Sequence, residues 1–105
     1  MSDVIKVRKT PEFEEWFSEL SSKEQAQVDA RFYRISEFHH FGDFKLLEGL
    51  DIPLFELRWK NGWRIYFFRD GVTAILVLLG GMKNGQKKDI KKAENLFRRY
   101  ANYKK

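Results

Sequence analysis

The chain has 105 residues and a hydrophobic fraction of 43%, enough apolar side chains for one packed domain and too many for a disordered chain. It has no cysteine, which excludes disulfides and thiolate chemistry, and its longest apolar run is far shorter than the roughly 20 residues of a membrane helix. Its net charge of +5 is concentrated in residues 83–105, where nine basic and two acidic side chains balance to +7. Such a segment favours nucleic acid as a partner, but a solvated helix with surface lysines explains the charge equally well.

The N-terminal forty residues predict a strand and two antiparallel helices. Residues 4–9 alternate as a short strand. Thr10-Pro11 supplies an N-cap and a first helical position for one helix. A capping box with Ser22 as the cap and Gln25 reaching back opens the second helix, which ends near His40. Met1-Ser2-Asp3 opens no secretory signal, so we expect a cytoplasmic protein with no membrane contact.

The remaining residues predict an antiparallel meander followed by a helix. Asn61-Gly62 and Asp70-Gly71 are hairpin turns, and Gly80-Gly81 ends the last strand. The predicted strands span residues 44–47, 54–60, 63–69 and 72–79, and the final helix spans about residues 86–103. The order βααββββα defines an α+β fold over a single domain of residues 1–105. Its antiparallel, twisted sheet carries the two N-terminal helices on one face, and a C-terminal helix follows.

The register of the first hairpin decides which side chains share a face. A two-residue Asn61-Gly62 turn mixes apolar and charged groups on both faces. A three-residue loop with Gly62 in the left-handed conformation instead pairs Trp59 with Trp63 and gathers the apolar side chains on one face. We favour the second register because a buried face specifies it. Two arginines, a carboxylate and a phenol then share the solvent-facing side: Glu56, Arg58, Arg64 and Tyr66.

Several motifs in residues 5–100 resemble those of the RelE/ParE toxin superfamily. They are Phe13-Glu-Glu-Trp-Phe, Phe41-Gly-Asp-Phe-Lys-Leu-Leu, Phe55-Glu-Leu-Arg, Trp63-Arg-Ile-Tyr-Phe, Leu78-Leu-Gly-Gly-Met-Lys and Gln86-Lys-Lys-Asp-Ile-Lys-Lys-Ala. Within the superfamily they are most similar to the addiction-module killer, or HigB-like, branch, which includes phage-derived members. The resemblance implies a RelE-like fold and the role of toxin in a type II toxin–antitoxin system.

For the endonuclease members, the resemblance implies cleavage of ribosome-bound mRNA without a metal or another cofactor, the RNA 2′-hydroxyl attacking the adjacent phosphate. Arg64 matches the arginine that recurs in the family after the first hairpin. A guanidinium can hold two phosphate oxygens and stabilise charge in the transition state. Arg58 shares the face of Arg64 by the register argument. The competing interpretation is that both arginines pair with Glu56 or Asp70 on a solvated face.

Lysines and one carboxylate complete the site that the resemblance implies. Glu56 is either a general base or a tether for Arg58, and we favour the tether. Lys83 and Lys87 are candidate general acids. Several endonuclease members carry Tyr or His near the start of the last helix. This chain has Gly85, Gln86, Lys87 and Ile90 in that region, so the acid and base stay unassigned. The predicted catalytic residues are Arg64, Arg58, Lys83 and Glu56, and the predicted RNA-binding residues are Lys45, Lys87, Lys88 and Lys91.

Two alternatives to the endonuclease stay open. ParE-like members of the superfamily inhibit gyrase without catalysis, and the unassigned acid and base favour such a role. A plain nucleic-acid-binding module is supported by charge alone. A toxin implies an antitoxin partner, a small helix-turn-helix protein from the adjacent gene, and the endonuclease also engages ribosome and mRNA. His39-His40 lacks a spaced third ligand, so we expect a helix C-cap there and no metal site.

Overall fold

The computed structural model describes residues 3–103, which form five strands and three α-helices. The strands are β1 (Lys6–Lys9), β2 (Phe44–Leu46), β3 (Phe55–Arg58), β4 (Trp63–Arg69) and β5 (Ala74–Met82). The helices are α1 (Pro11–Ser18), α2 (Ser22–Phe38) and α3 (Gln86–Tyr103), and a 3₁₀ turn at Lys83–Gly85 precedes α3. The predicted α+β class and element order are confirmed. Met1 and Ser2, used above for the secretory signal, and Lys104 and Lys105 of the basic segment lie outside the described residues.

The five strands form one sheet in the order β1-β5-β4-β3-β2. Strands β2 to β5 are the predicted antiparallel meander. Strand β1 runs parallel to β5, from Lys6 opposite Ala74 to Lys9 opposite Val77, so the sheet is mixed. Helices α1 and α2 and three further strands separate β1 from β5 in the chain, so no tight hairpin forces the two strands to run antiparallel. The Thr10 hydroxyl fixes the junction by donating to the Leu78 carbonyl at 2.8 Å.

The first hairpin has the register that the hydrophobic pattern predicts. Leu57 lies opposite Ile65, and the Trp59 amide donates to the Trp63 carbonyl at 3.1 Å. Gly62 has a φ of 105°, a conformation that glycine adopts without a steric penalty. The apolar face of this hairpin is therefore buried, and the polar face lies on the other side of the sheet.

Each face of the sheet has its own hydrophobic core. Helices α1 and α2 cover one face, where Phe13, Phe32 and Ile35 pack against the apolar hairpin side chains, as predicted. Helix α3 covers the other face through Ala93 and Leu96. The polar side of the hairpin is thus the side that α3 overlies, which explains the burial of several polar groups described below.

The N-cap of α2 is Ser21, one residue before the predicted Ser22. The Ser21 hydroxyl accepts from the Glu24 amide at 3.1 Å, and the Glu24 carboxylate accepts from the Ser21 amide at 2.8 Å. The sequence offers two overlapping capping boxes, and the one with the carboxylate forms because a charged acceptor suits the positive helix end. Gln25, freed from the cap, donates to the Phe17 carbonyl. At the other end His39 is the C-cap with a φ of 56°, which confirms the predicted cap.

Replacing the two serines one at a time tests which of them is the cap. We expect Ser21→Ala to lower the free energy of unfolding by about 1 kcal/mol, because it removes an N-cap acceptor. We expect Ser22→Ala, the matched control, to change it by less than about 0.5 kcal/mol, as at an ordinary exposed position. Urea denaturation of both variants measures the difference, and a larger loss in Ser22→Ala contradicts the observed cap.

Strand β5 continues through Gly80-Gly81 to Met82, so the prediction that these glycines end the strand is wrong. A Cβ on Gly80 would lie less than 3.0 Å from three ring carbons of Trp16, and a Cβ on Gly81 would meet the Asp89 carboxylate. The two glycines let a helix approach each face of the sheet closely. The strand begins at Ala74, and the exposed Val72 belongs to the turn.

Candidate active site

A carboxylate between two arginines forms the centre of the polar face of the hairpin. Arg58 lies opposite Arg64, and Glu56 lies opposite Tyr66, so the four predicted side chains share a face. The Glu56 carboxylate is 3.4 Å from Arg58 Nε and 3.9 Å from Arg64 Nε. Gln86, at the start of α3, donates to its other oxygen. This carboxylate is only 2% exposed, so its charge is balanced almost entirely by the two guanidinium groups.

Arg64 is 8% exposed, so the prediction that it projects from a solvent face is wrong. The physical reason is the cover by α3 and the 3₁₀ turn, which strand alternation does not reveal. Its Nη1 donates to the Trp63 carbonyl at 2.9 Å and to the Trp59 carbonyl at 3.3 Å. Within residues 3–103 no acceptor engages Nη2. Arg64 therefore braces the hairpin with one side of its guanidinium and has the other side available for a ligand.

Tyr66 and Asp89 extend the buried polar cluster. Tyr66 is fully buried, and burial together with the nearby Glu56 and Asp89 carboxylates raises its pKa, so the phenol is protonated at neutral pH. Burial also raises the pKa of the Asp89 carboxyl, which Lys92 and Lys88 oppose. Neither Asp89 nor Gln86 was among the predicted site residues. The available signal was Gly81, whose missing side chain leaves room for a carboxylate from α3.

Of the predicted lysines, one lines a cleft beside Arg64, and the others lie on the exposed surface of β2 and α3. Lys83, in the 3₁₀ turn, lines a cleft of about 320 Å³ together with Arg64 and the β3–β4 turn. Lys45 lies opposite Glu56 in the sheet register and is exposed at the edge strand β2. The three predicted lysines of α3, Lys87, Lys88 and Lys91, are also exposed. By helical spacing Lys88 and Lys91 lie on the outer side, away from Gln86 and Ala93, so they do not converge on the arginines.

Neither a metal cluster nor a membrane span is found in the described part of the chain. No three His, Cys, Asp or Glu side chains among residues 3–103 converge to hold a metal ion. No helix in the same stretch is long and apolar enough to cross a membrane. The side chains that meet at the site are two arginines, a carboxylate and a phenol, with Lys83 at the adjoining cleft.

Comparison with known structures identifies the fold. A mutant of the E. coli toxin RelE in the free state superimposes with a TM-score of 0.64 at 12% identity, covering 86% of this chain and 93% of that one. The toxin–antitoxin complex RelBE2 of Mycobacterium tuberculosis contains a chain that matches with a TM-score of 0.55 at 19% identity. That match covers 75% of this chain and 98% of the other. The predicted RelE-like fold is thereby confirmed.

Sequence comparison identifies the family. A Haemophilus influenzae protein of uncharacterised function is 35% identical over 95 residues, which are 88% of this chain and 92% of that protein. Residues 15–101 match the model of the family described as "Phage derived protein Gp49-like (DUF891)". This confirms the RelE/ParE resemblance, including its phage-derived members, whereas the HigB-like branch stays a prediction. The chain belongs to the phage-derived Gp49-like family, and its fold is that of the RelE toxins.

Proposed function

We propose that this protein is the toxin of a type II toxin–antitoxin system and that it cleaves mRNA on the ribosome. The observation that carries the proposal is the pair Arg58 and Arg64, held by one buried carboxylate beside the cleft of Lys83 in a RelE fold. Positive groups fixed before the substrate arrives stabilise a transition-state anion without reorganisation. The net charge of this group, three cations against Glu56, suits a phosphodiester.

The proposed reaction is an internal transesterification. The 2′-oxygen of one ribose attacks the adjacent phosphorus and loses its proton, and the 5′-oxygen of the next nucleotide leaves and gains one. Charge accumulates on the non-bridging oxygens, where the available Nη2 of Arg64, the Arg58 guanidinium and the Lys83 ammonium can stabilise it. The products are a 2′,3′-cyclic phosphate and a 5′-hydroxyl.

Glu56 acts in this proposal as a tether for both arginines. One of its oxygens faces the two guanidinium groups, and Gln86 donates to the other. At 2% exposure this carboxylate is shielded from a ribose hydroxyl that enters the cleft, so the proposal gives it no role as a base. Its contribution is to hold Arg58 and Arg64 at a fixed separation and to offset part of their mutual repulsion.

The proposed partner is an antitoxin, a small helix-turn-helix protein encoded by the adjacent gene. The M. tuberculosis chain with the same fold was solved as a toxin–antitoxin complex. The exposed lysines of α3 offer a surface for an acidic segment of such a protein.

Induced expression of the protein in bacteria tests the target. We expect growth arrest in which incorporation of labelled amino acids stops before that of labelled thymidine, because mRNA cleavage halts translation first. The alternative is a gyrase-inhibiting toxin. It is favoured by Gln86, a residue that is neither an acid nor a base, in the region where several endonuclease members carry Tyr or His. Early loss of DNA synthesis with intact mRNA would contradict the endonuclease and support that alternative.

A further inference from the structure

A second cleft, of about 540 Å³, lies on the opposite side of the β3–β4 turn, against α2. We call it the α2 cleft. Four cations line it, with one carboxylate, from Asp43. The cations are Arg31, Arg34, Arg58 and Lys60. The net charge of these five side chains is +3, so the cleft is strongly positive, and neither the family resemblance nor the proposed function assigns it a role.

Arg31 forms the rigid floor of the α2 cleft. It is 7% exposed and donates to three backbone carbonyls, those of Phe41 at 3.0 Å, Arg58 at 2.7 Å and Asp43 at 2.6 Å. Its guanidinium carbon lies 4.3 Å from the centroid of the Trp59 ring. Carbonyl oxygens solvate the guanidinium, and the nearby Asp43 carboxylate offsets part of its charge. The floor therefore presents a fixed positive charge beneath a half-buried aromatic ring.

Two exposed cations at the rim have no acidic partner. No carboxylate among residues 3–103 lies within salt-bridge distance of Arg34 or Lys60. Burial lowers the pKa of Arg31, the nearby Asp43 carboxylate opposes that shift, and repulsion from Arg34 adds a smaller lowering. Cations concentrated in this way are destabilising to one another, and a bound anion would relieve the repulsion.

The α2 cleft adjoins the cleft of the candidate active site at the β3–β4 turn. Lys60 and Asn61, at the β3–β4 turn, line both clefts. Arg58 lines the α2 cleft and also contacts Glu56 beside Arg64. Lys83 and Arg64 therefore lie on one side of the turn, Arg31 and Arg34 lie on the other, and Lys60 lies between them. A single-stranded polyanion that reaches the arginine pair can follow this path.

We propose that the α2 cleft binds the phosphodiester backbone of single-stranded RNA next to the segment held at the arginine pair. This extends the proposed function, on which it rests for the choice of RNA. The combination of cations, the half-buried Trp59 ring and the amide groups of Gln27 and Asn61 suits a nucleotide strand better than an acidic peptide. The site contacts phosphate and so positions the strand without selecting its sequence.

Fluorescence anisotropy of a labelled 12-nucleotide single-stranded RNA, titrated with the full-length protein at several salt concentrations, tests the proposal. Removing one phosphate contact from a single strand lowers the salt slope by about 0.7 and affinity at 0.1 M salt by about fivefold. We expect these losses in both Arg34→Ala and Lys60→Ala. Lys23→Ala, which removes an exposed cation near the other end of α2, is the matched control and should change neither quantity. Asp43→Asn removes the carboxylate of the cleft and should tighten binding.

Unchanged affinity and salt slope in Arg34→Ala and Lys60→Ala, or equal losses in Lys23→Ala, would overturn the proposal. So would failure of the unmodified protein to bind the RNA. A polyglutamate peptide added as a competitor tests whether an acidic protein segment occupies the cleft instead of RNA. If the peptide binds through Arg34 and Lys60 and the RNA does not, the cleft is a protein-docking site. All these readouts are binding constants. The two proposals can therefore fail separately. If the protein inhibits DNA synthesis and leaves mRNA intact, the endonuclease is refuted. If that protein still binds RNA through Arg34 and Lys60, the assignment of the α2 cleft stands.

Discussion

Arg64→Ala is expected to lower the rate of mRNA cleavage by roughly 10²–10³-fold, the loss typical of removing one donor to a transition-state oxyanion. The same change should lower the free energy of unfolding by about 1–3 kcal/mol, because buried hydrogen-bond acceptors lose their donor. Arg64 donates to two backbone carbonyls and faces a carboxylate that is 2% exposed. Cleavage of a translated mRNA in a reconstituted translation reaction, with thermal melting alongside, measures both effects.

Two control variants separate catalysis from stability. Arg69→Ala removes an exposed arginine at the far end of β4, on the opposite face, and should leave cleavage intact. Arg64→Lys keeps the charge but has one nitrogen, which cannot lie both at the two carbonyls and at the phosphate position of Nη2, so cleavage should remain impaired. Full cleavage by a folded Arg64→Ala protein would remove Arg64 from the mechanism. The same slow cleavage in Arg69→Ala would attribute the loss to the general charge of β4.

Gly80→Ala is expected to be the most destabilising of the small substitutions, lowering the free energy of unfolding by about 3 kcal/mol. The added methyl group would overlap the ring of Trp16, a residue of α1. This ring contacts Phe13 and Trp63 and cannot move without displacing both. Gly81→Ala is the matched control. Its methyl group meets only the end of the Asp89 side chain, which can rotate away, so the loss should be below about 1 kcal/mol.

Denaturation of the two glycine variants in urea checks this difference. Equal stability of Gly80→Ala and Gly81→Ala would mean that Trp16 does not contact the strand as closely as observed. Because Asp89 lies beside the candidate site, Gly81→Ala should also affect cleavage more than stability. The neighbour of Gly80 is on the α1 side of the sheet. Gly80→Ala should therefore lower stability and leave the rate of cleavage unchanged at temperatures where the variant is folded.

Local patterns were sufficient to predict the hairpin and the residues that it brings together. The alternation of apolar side chains on both sides of Gly62 allows only one register with a fully apolar face. That register is what places Arg58 opposite Arg64 and Glu56 opposite Tyr66. The bounds of α3 were predictable for a similar reason, since turn residues precede a helix with a three- and four-residue apolar repeat.

Features that depend on contacts between distant segments could not be predicted. The burial of Arg64 results from α3, which is remote in sequence, whereas charged residues alternating along a strand ordinarily indicate a solvent face. Gly80-Gly81 resembles a strand end because its role depends on Trp16 and Asp89 across the sheet. The parallel pairing of β1 with β5 also joins residues far apart in the chain. Each of these required the packing of the folded protein.

Mapping of mRNA ends by primer extension, after brief induction of the protein in growing cells, tests the proposed function most directly. An endonuclease acting on the ribosome predicts new 5′-hydroxyl ends within translated codons of a reporter mRNA. These ends should be absent when the start codon of the reporter is removed, and absent with Arg64→Ala. Growth arrest with no new ends in the translated reporter would contradict cleavage of mRNA as the function of this protein.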